Sequence, residues 1–221
     1  MPSNKKHGIL IVDDHAVVRM GLSLVIGKTP DLQVCGESAD GGPVLEMIAR
    51  LKPAAVVLDL TLKDVNGLDL LKEIHSKYPT LAVLVLSMHE EMVYAERTLR
   101  AGALGYVHKE EAIEKVVLAL REILTGKVYA AEAVKAKLLR KITRTKESGE
   151  NDPIVDRLSD RELDVFSLLG QGLTTRAIAE KWHRSVKTVE TYRANIKRKL
   201  DLDNSAALVR EAVEWQSKKS R

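Results

Sequence analysis

Between residues 9 and 107, five short apolar runs alternate with longer stretches in which apolar positions recur every three to four residues. The runs are Ile9 to Val12, Leu32 to Cys35, Ala55 to Leu58, Leu81 to Leu86 and Leu104 to Val107, rich in Val, Ile and Leu. Near-continuous rather than alternating hydrophobicity marks strands covered on both faces, as in a parallel sheet. Amphipathic segments near residues 15–27, 43–51, 68–77, 90–101 and 111–125 supply the covering helices, punctuated by Pro30, Pro53, Pro79 and Gly102. The pattern predicts five βα units, an α/β doubly wound five-stranded parallel sheet.

The rest of the chain carries only helical periods. A helical pattern from Ala131 to Ile142 is followed by TRTKESGENDPIVD, residues 143–156, a polar stretch with Gly149 and Pro153 that reads as a linker. In LSDREL, Ser159 caps a helical turn, Glu162 reaches back to it, and Leu158 packs on Leu163, a capping box with its hydrophobic staple. That helix runs to Gly170, where QGLTT breaks it, and a second follows from Thr175 to Trp182. Ser185 then caps VKTVETYRANIKRKL, whose inward stripe is Val189, Tyr192, Ile196 and Leu200. A last helix, Ser205 to Gln216, has more apolar surface than a three-helix core needs. A short helix, a tight turn and a helix with one basic, polar face make a helix-turn-helix, whose second member enters the DNA major groove. A solvated basic face on an ordinary bundle remains the plainer alternative. The expected organisation is residues 1–125, a linker with a helical segment over 126–156, and a small all-α domain over 157–221.

Charge sharpens this division. Residues 1–125 hold 14 Lys and Arg against 17 Asp and Glu, net −3, whereas residues 126–221 hold 21 against 14, net +7. A basic half beside an acidic one points to nucleic acid as its partner. No apolar run approaches the roughly 18 residues of a spanning helix, and MPSNKKHG lacks the apolar segment of a secretory signal, so a cytoplasmic protein with no membrane partner is expected. Cys35 is the only cysteine and reads as a small core filler, and the six histidines, without zinc-like spacing, as surface or packing residues.

Open parallel sheets bind ligands at the carboxyl ends of their strands. Asp13 and Asp14 follow the first run, Asp59 the third, Ser87 the fourth and Lys109 the fifth, with Tyr106 near that strand's end. Singly, each Asp reads as a turn former or helix cap, Asp14 above all. Together, clustered carboxylates repel and raise one another's pKa unless a cation sits among them. Magnesium suits them, because it takes oxygen ligands and is commonly held by one or two carboxylates together with phosphate oxygens. With charge so neutralised, Asp59 can attack a phosphoryl donor while Lys109 and Ser87 stabilise the transferred oxygens. An aspartate-nucleophile phosphohydrolase is the rival; it needs a second acid two residues after the nucleophile, where this chain has Thr61.

IVDDHAVVRMGL, VVLDLTLKDVNGLDLL, VLVLS and AGALGYVHK resemble the CheY-like receiver domain of two-component response regulators. The resemblance implies that Asp59 is the phospho-acceptor, that Asp13, Asp14 and Asp59 bind Mg2+ with the backbone carbonyl of Thr61, that Lys109 contacts the phosphoryl group, and that Ser87 and Tyr106 form a switch pair. One departure is that the loop after the acceptor reads Leu62-Lys63 where the family has Met-Pro, which bears on the rate of phosphoryl gain or loss. Residues 158–213 resemble the LuxR-type DNA-binding domain of the NarL and FixJ class. By that likeness Glu190, Thr191 and Ala194 would face base edges, and Lys187, Thr188, Arg193, Lys197 and Lys199 would face phosphates. The implied partners are a histidine kinase, DNA half-sites and, on phosphorylation, a second copy of the chain; a receiver that binds only protein partners is the third reading.

Overall fold

The computed structural model describes residues 6–63, 65–88, 91–136, 154, 157–182 and 184–219, with backbone alone at 91–93, 160 and 219. The chain divides into two compact units, Met1–Glu147 and Ser148–Arg221. Most of the predicted linker, and the predicted helix beyond Ala136, lie outside the described residues.

In the first unit, strands β1 (His7–Val12), β2 (Leu32–Ser38), β3 (Ala55–Asp59), β4 (Ala82–Ser87) and β5 (Gly105–His108) form one sheet in the order β2-β1-β3-β4-β5. Every pairing is parallel. Helices α1 (Ala16–Gly27), α2 (Val44–Leu51), α3 (Gly67–Lys77), α4 (Glu91–Arg100) and α5 (Ala112–Leu124) connect and cover the strands. Alternate strand residues such as Ile9, Ile11, Val57 and Leu84 pack with Leu22 and Ile26 of α1 and with Val116 and Leu120 of α5 in one buried cluster. Their neighbours Leu10, Val12, Val56, Leu58, Val83 and Val85 are equally buried and point to the opposite face. Burial on both faces is what the uninterrupted apolar runs require.

β2 runs three residues beyond its predicted end at Cys35, because Gly36, Glu37 and Ser38 still pair with Leu10, Ile11 and Val12. An edge strand has a wet side and tolerates the polar Glu37 there, so hydrophobicity alone ends it too early. Beyond α5 the chain returns to the other edge. Tyr129 N donates to Leu104 O (2.9 Å), and its carbonyl accepts from Tyr106 N (2.8 Å), a parallel bridge that lengthens the sheet beyond β5. Val134 in the following helical turn is buried, so residues 129–134 belong physically to this unit.

The strand order reverses between β1 and β3, from which the chain winds outward in both directions. Loops leaving their carboxyl ends diverge and open a crevice at that point.

The second unit holds α6 (Asp160–Gly170), α7 (Thr175–Lys181), α8 (Val186–Leu200) and α9 (Ser205–Lys219). The predicted capping box is present on α6, with Ser159 N donating to Glu162 Oε2 at 2.7 Å, and both members of the staple, Leu158 and Leu163, are buried. Ser185 caps α8 as predicted, accepting from Thr188 N at 3.1 Å. Val189 and Ile196 are the fully buried part of the expected stripe, while Tyr192 and Leu200 are half-buried. Tyr192 meets Trp182 edge to face, ring centroids 6.4 Å apart, and Phe166 meets Trp215 at 5.4 Å. Among the described residues no helix is long and apolar enough to cross a membrane.

Candidate functional site

Asp13 leaves the end of β1 and Asp59 ends β3, and both are 1% exposed. Between them stands Lys109, in the single 3-10 turn (Lys109–Glu111) that follows β5. Its ammonium lies 2.8 Å from Asp13 Oδ2 and 2.7 Å from Asp59 Oδ2, and its side chain is 5% exposed. Asp59 Oδ1 accepts from Thr61 N at 2.9 Å, so both oxygens of this carboxylate are held and its plane is fixed. Burial pushes the Asp59 carboxyl above its ordinary value; Lys109 pulls against that and Asp13 reinforces it. For Lys109 burial works against the charge, yet Asp59 and Asp13 outweigh it and raise the ammonium pKa.

Asp14 turns toward the crevice mouth, where His15 Nδ1 lies 2.6 Å from its Oδ1 and Lys63 Nζ lies 3.7 Å from its Oδ2. The expectation that Asp14 caps α1 is not met: His15 occupies the cap position, and it is Asp13 Oδ1 that accepts the His15 amide at 2.8 Å. Arg19, one turn into α1, donates to the Asp13 carbonyl at 2.6 Å and fixes the loop from behind. The β3–α3 loop is equally constrained. Gly67 packs so closely that a Cβ there would stand 2.4 Å from Leu60 Cα, Asn66 caps α3 through Leu68 N and Asp69 N, and Leu62 is buried. These contacts hold the loop in which Leu62-Lys63 replaces Met-Pro. Ser87 ends β4 fully buried, one residue beyond the Leu86 that pairs with Asp59, and Tyr106 on β5 pairs with Val85 and is buried as well.

One oxygen each of Asp13, Asp14 and Asp59 and one nitrogen of His15 lie within 4.8 Å of one another. Asp13 Oδ2 and Asp14 Oδ1 are buried without an aligned hydrogen bond, their neighbours being close only as ion pairs. Buried carboxylate oxygens with unused lone pairs around a common centre fit a hard divalent cation.

On α8 the exposed residues Lys187, Glu190, Thr191, Ala194 and Arg198 recur at three-and-four spacing and share one face. Thr191 Oγ1 donates to the Lys187 carbonyl at 3.0 Å. Three residues expected at DNA phosphates also have partners within the unit. Lys199 Nζ lies 2.6 Å from Glu162 Oε2 on α6, Arg193 donates to Thr175 Oγ1 on α7, and half-buried Thr188 shares a 2.8 Å hydroxyl contact with Ser185. Burial alone would raise the Glu162 pKa, but hydrogen bonds from Lys199 and from the Ser159 N–H outweigh it and hold it below the usual value.

Residues 9–121 match the response regulator receiver domain and residues 156–212 the bacterial regulatory proteins, luxR family. The oxygen regulatory protein NreC of Staphylococcus haemolyticus strain JCSC1435 is 35% identical over 209 residues, 93% of this chain and 96% of that protein. Among solved structures, the RcsB response regulator of Salmonella typhimurium is 26% identical with a TM-score of 0.62 over 95% of this chain and 98% of its own. RcsB from Salmonella enterica serovar Typhimurium, bound to promoter rprA in the presence of phosphomimetic BeF3-, is 26% identical with a TM-score of 0.59, covering 93% and 98%. The chain is a two-component response regulator of the NarL/FixJ class.

Receiver domains generally use Mg2+, and in this regulator the three expected carboxylates and Lys109 meet in one pocket, with Ser87 and Tyr106 on the two adjoining strands. Sequence reasoning assigned His15 to surface or packing, which its 60% exposure bears out, but missed the approach of its Nδ1 to Asp13 and Asp14. It also missed Arg19 and the direct approach of Lys63 to Asp14, for which the sequence carries no signal.

Proposed function

We propose that this response regulator is switched by phosphorylation of Asp59 and acts on promoter DNA through α8. The observation that carries the reading is the Lys109 ammonium bridging two buried carboxylates at the point where strand order reverses. Asp13, Asp14 and Asp59, with the Thr61 backbone carbonyl, would hold Mg2+, which when bound neutralises oxygens of the incoming phosphoryl group. Asp59 attacks phosphorus; a P–O bond forms to its carboxylate as the P–N bond of a kinase phosphohistidine breaks, and the imidazole leaves with the electron pair. Lys109, already charged and 2.7 Å from the nucleophile, stabilises the transferred oxygens. The added charge and acceptors engage Ser87 and bias the Tyr106 strand, which reshapes the surface beside β5.

In the second unit Glu190, Thr191 and Ala194 face base edges, and Arg184, Lys187, Lys197 and Arg198 face phosphates, while Arg193 and Lys199 brace the helix. Pairing of two copies places two such helices on neighbouring half-sites. We assign residues 1–125, with the packed segment 129–134, to the receiver, the rest of 126–156 to the connection and 157–221 to the DNA-binding domain, and place the protein in the cytoplasm with its kinase and promoter. The test is intact-mass measurement and DNA-binding anisotropy on the full chain with a small-molecule phosphodonor and Mg2+. A single adduct that vanishes in Asp59→Asn, together with loss of donor-stimulated binding, is expected; unchanged stimulation in Asp59→Asn overturns the route.

A further inference from the structure

His15 stands at the mouth of the acidic pocket. Its side chain is 60% exposed, yet Nδ1 is 2.6 Å from Asp14 Oδ1 and 3.3 Å from Asp13 Oδ1. The helix does not use this imidazole, for His15 is the N-cap of α1 and makes no side-chain cap bond. What fixes the residue is its backbone N–H, bonded to Asp13 Oδ1 at 2.8 Å. The imidazole is thus anchored beside the carboxylates with Nδ1 turned toward their oxygens.

Atoms sharing one small ion at about 2.0–2.2 Å stand at most about 4.4 Å apart. The four donor atoms here lie within 4.8 Å of one another, close to that limit. Asp13 is 1% exposed, and its Oδ2 and the Asp14 Oδ1 are met by ion pairs with Lys109 and His15, which leaves a second lone pair on each oxygen for a cation. Magnesium prefers oxygen and gains nothing from an imidazole, whereas first-row transition ions bind nitrogen strongly, increasingly so from manganese to copper.

We propose that His15 is a nitrogen ligand that lets this pocket take a transition ion of the cobalt and zinc class in place of magnesium. The inference rests on the magnesium reading of the same three carboxylates. With His15 added to the three carboxylates and the Thr61 carbonyl, such an ion would keep one position fewer for phosphoryl oxygens than magnesium does. Cellular transition metal would then set how much of the regulator can be phosphorylated.

The test is titration of the full chain with Co2+, followed by its visible absorption, and competition by Mg2+ to establish a shared site. His15→Ala and His15→Gln are expected to weaken Co2+ binding by about tenfold or more, the scale at which even outer ligand partners matter, with Mg2+ affinity moving less than about threefold. The Co2+ band should also lose the shift that a nitrogen ligand imparts. Equal Co2+ affinity and spectrum in the variants overturn the proposal, as does an equal loss for both ions, which would make His15 a prop for Asp14. Absence of any Mg2+ or Co2+ binding to the unaltered protein would overturn the magnesium reading along with it.

Discussion

Replacing Lys109 by Met tests the electrostatic logic of the receiver pocket. The ammonium is within 2.8 Å of both Asp13 and Asp59, each 1% exposed. Removing one partner from a buried pair costs about 3–5 kcal/mol, mostly because the remaining charge is stranded. Here two carboxylates share the cation, but Asp59 can take up a proton, so the expected loss without metal is about 3 kcal/mol. A dication at a hundred times its Kd returns about 2.7 kcal/mol, and its benefit should be larger in Lys109→Met than in the unaltered protein, since no ammonium competes for the same oxygens. Asp59→Asn added to Lys109→Met should recover most of the loss. The sign for Asp59 follows from its raised pKa: stability present below the unfolded value of 3.8 is lost as pH rises through the higher folded value. Urea denaturation in chelator and in Mg2+ is the assay. Trp182 and Trp215 both lie in the second unit, so tryptophan fluorescence reports that transition and far-UV circular dichroism exposes the receiver's. A Lys109→Met protein within about 0.5 kcal/mol of the parent in chelator, the range of featureless surface changes, would refute the reasoning.

Glu162→Gln keeps an acceptor for Ser159 N but loses the charge facing Lys199; about 1 kcal/mol of second-unit stability should go, moderated by the partial exposure of Lys199. Because the Glu162 pKa is held low, its contribution is present above 4.5 and lost as pH falls, and identical acid limbs of tryptophan-monitored stability in both proteins would count against it. Gly170→Ala drives a Cβ to 2.5 Å from the Ala212 carbonyl on α9 and should cost about 1–3 kcal/mol in urea melts. Gly27→Ala, at the end of α1 with nothing within 4 Å, should instead stabilise by about 0.5 kcal/mol. Asp31, held by two Arg121 hydrogen bonds of 2.7 and 2.8 Å and pulled to about 2, contributes stability above 3.8 that fades as pH falls toward about 2; Asp31→Asn should lack that part of an acid titration of urea midpoints.

The fold was legible because burial on both faces writes strands as unbroken apolar runs, and the carboxyl-end rule then places Asp13, Asp59, Ser87 and Lys109 on one sheet edge. Such reasoning needs only strand ends. The polar half of β2 failed it, since Glu37 sits on a wet edge, and so did Tyr129, whose pairing with Leu104 and Tyr106 is made by its backbone. Side-chain pairings across the fold were illegible for a different reason. Lys199 reaches Glu162 over 37 positions and Arg193 reaches Thr175 over 18, and a cation on a helix looks the same in sequence whether it points to DNA or to a neighbouring helix. His15 escaped because its chemistry depends on where Asp14 turns, which the backbone decides.

That ambiguity has a measurable consequence. If Arg193 and Lys199 stay on Thr175 and Glu162, the cations left for DNA around α8 are Arg184, Lys187, Lys197 and Arg198, of which all but Lys197 are well exposed. Lys197 and Arg198, in the last turn, also offset the helix dipole and do so without leaving the surface. Four phosphate contacts per chain give about eight for a pair of chains, hence a slope of log affinity against log salt of about −7, whereas six per chain would give about −11. Fluorescence anisotropy on a promoter fragment across a salt series separates the two. Lys187→Ala should then reduce the slope by about two for the pair, one per copy, while Lys199→Ala should leave the slope alone and lower second-unit stability. A slope near −11 that falls in Lys199→Ala would mean that the lysine abandons Glu162 when DNA arrives, and that the brace is an exchangeable contact.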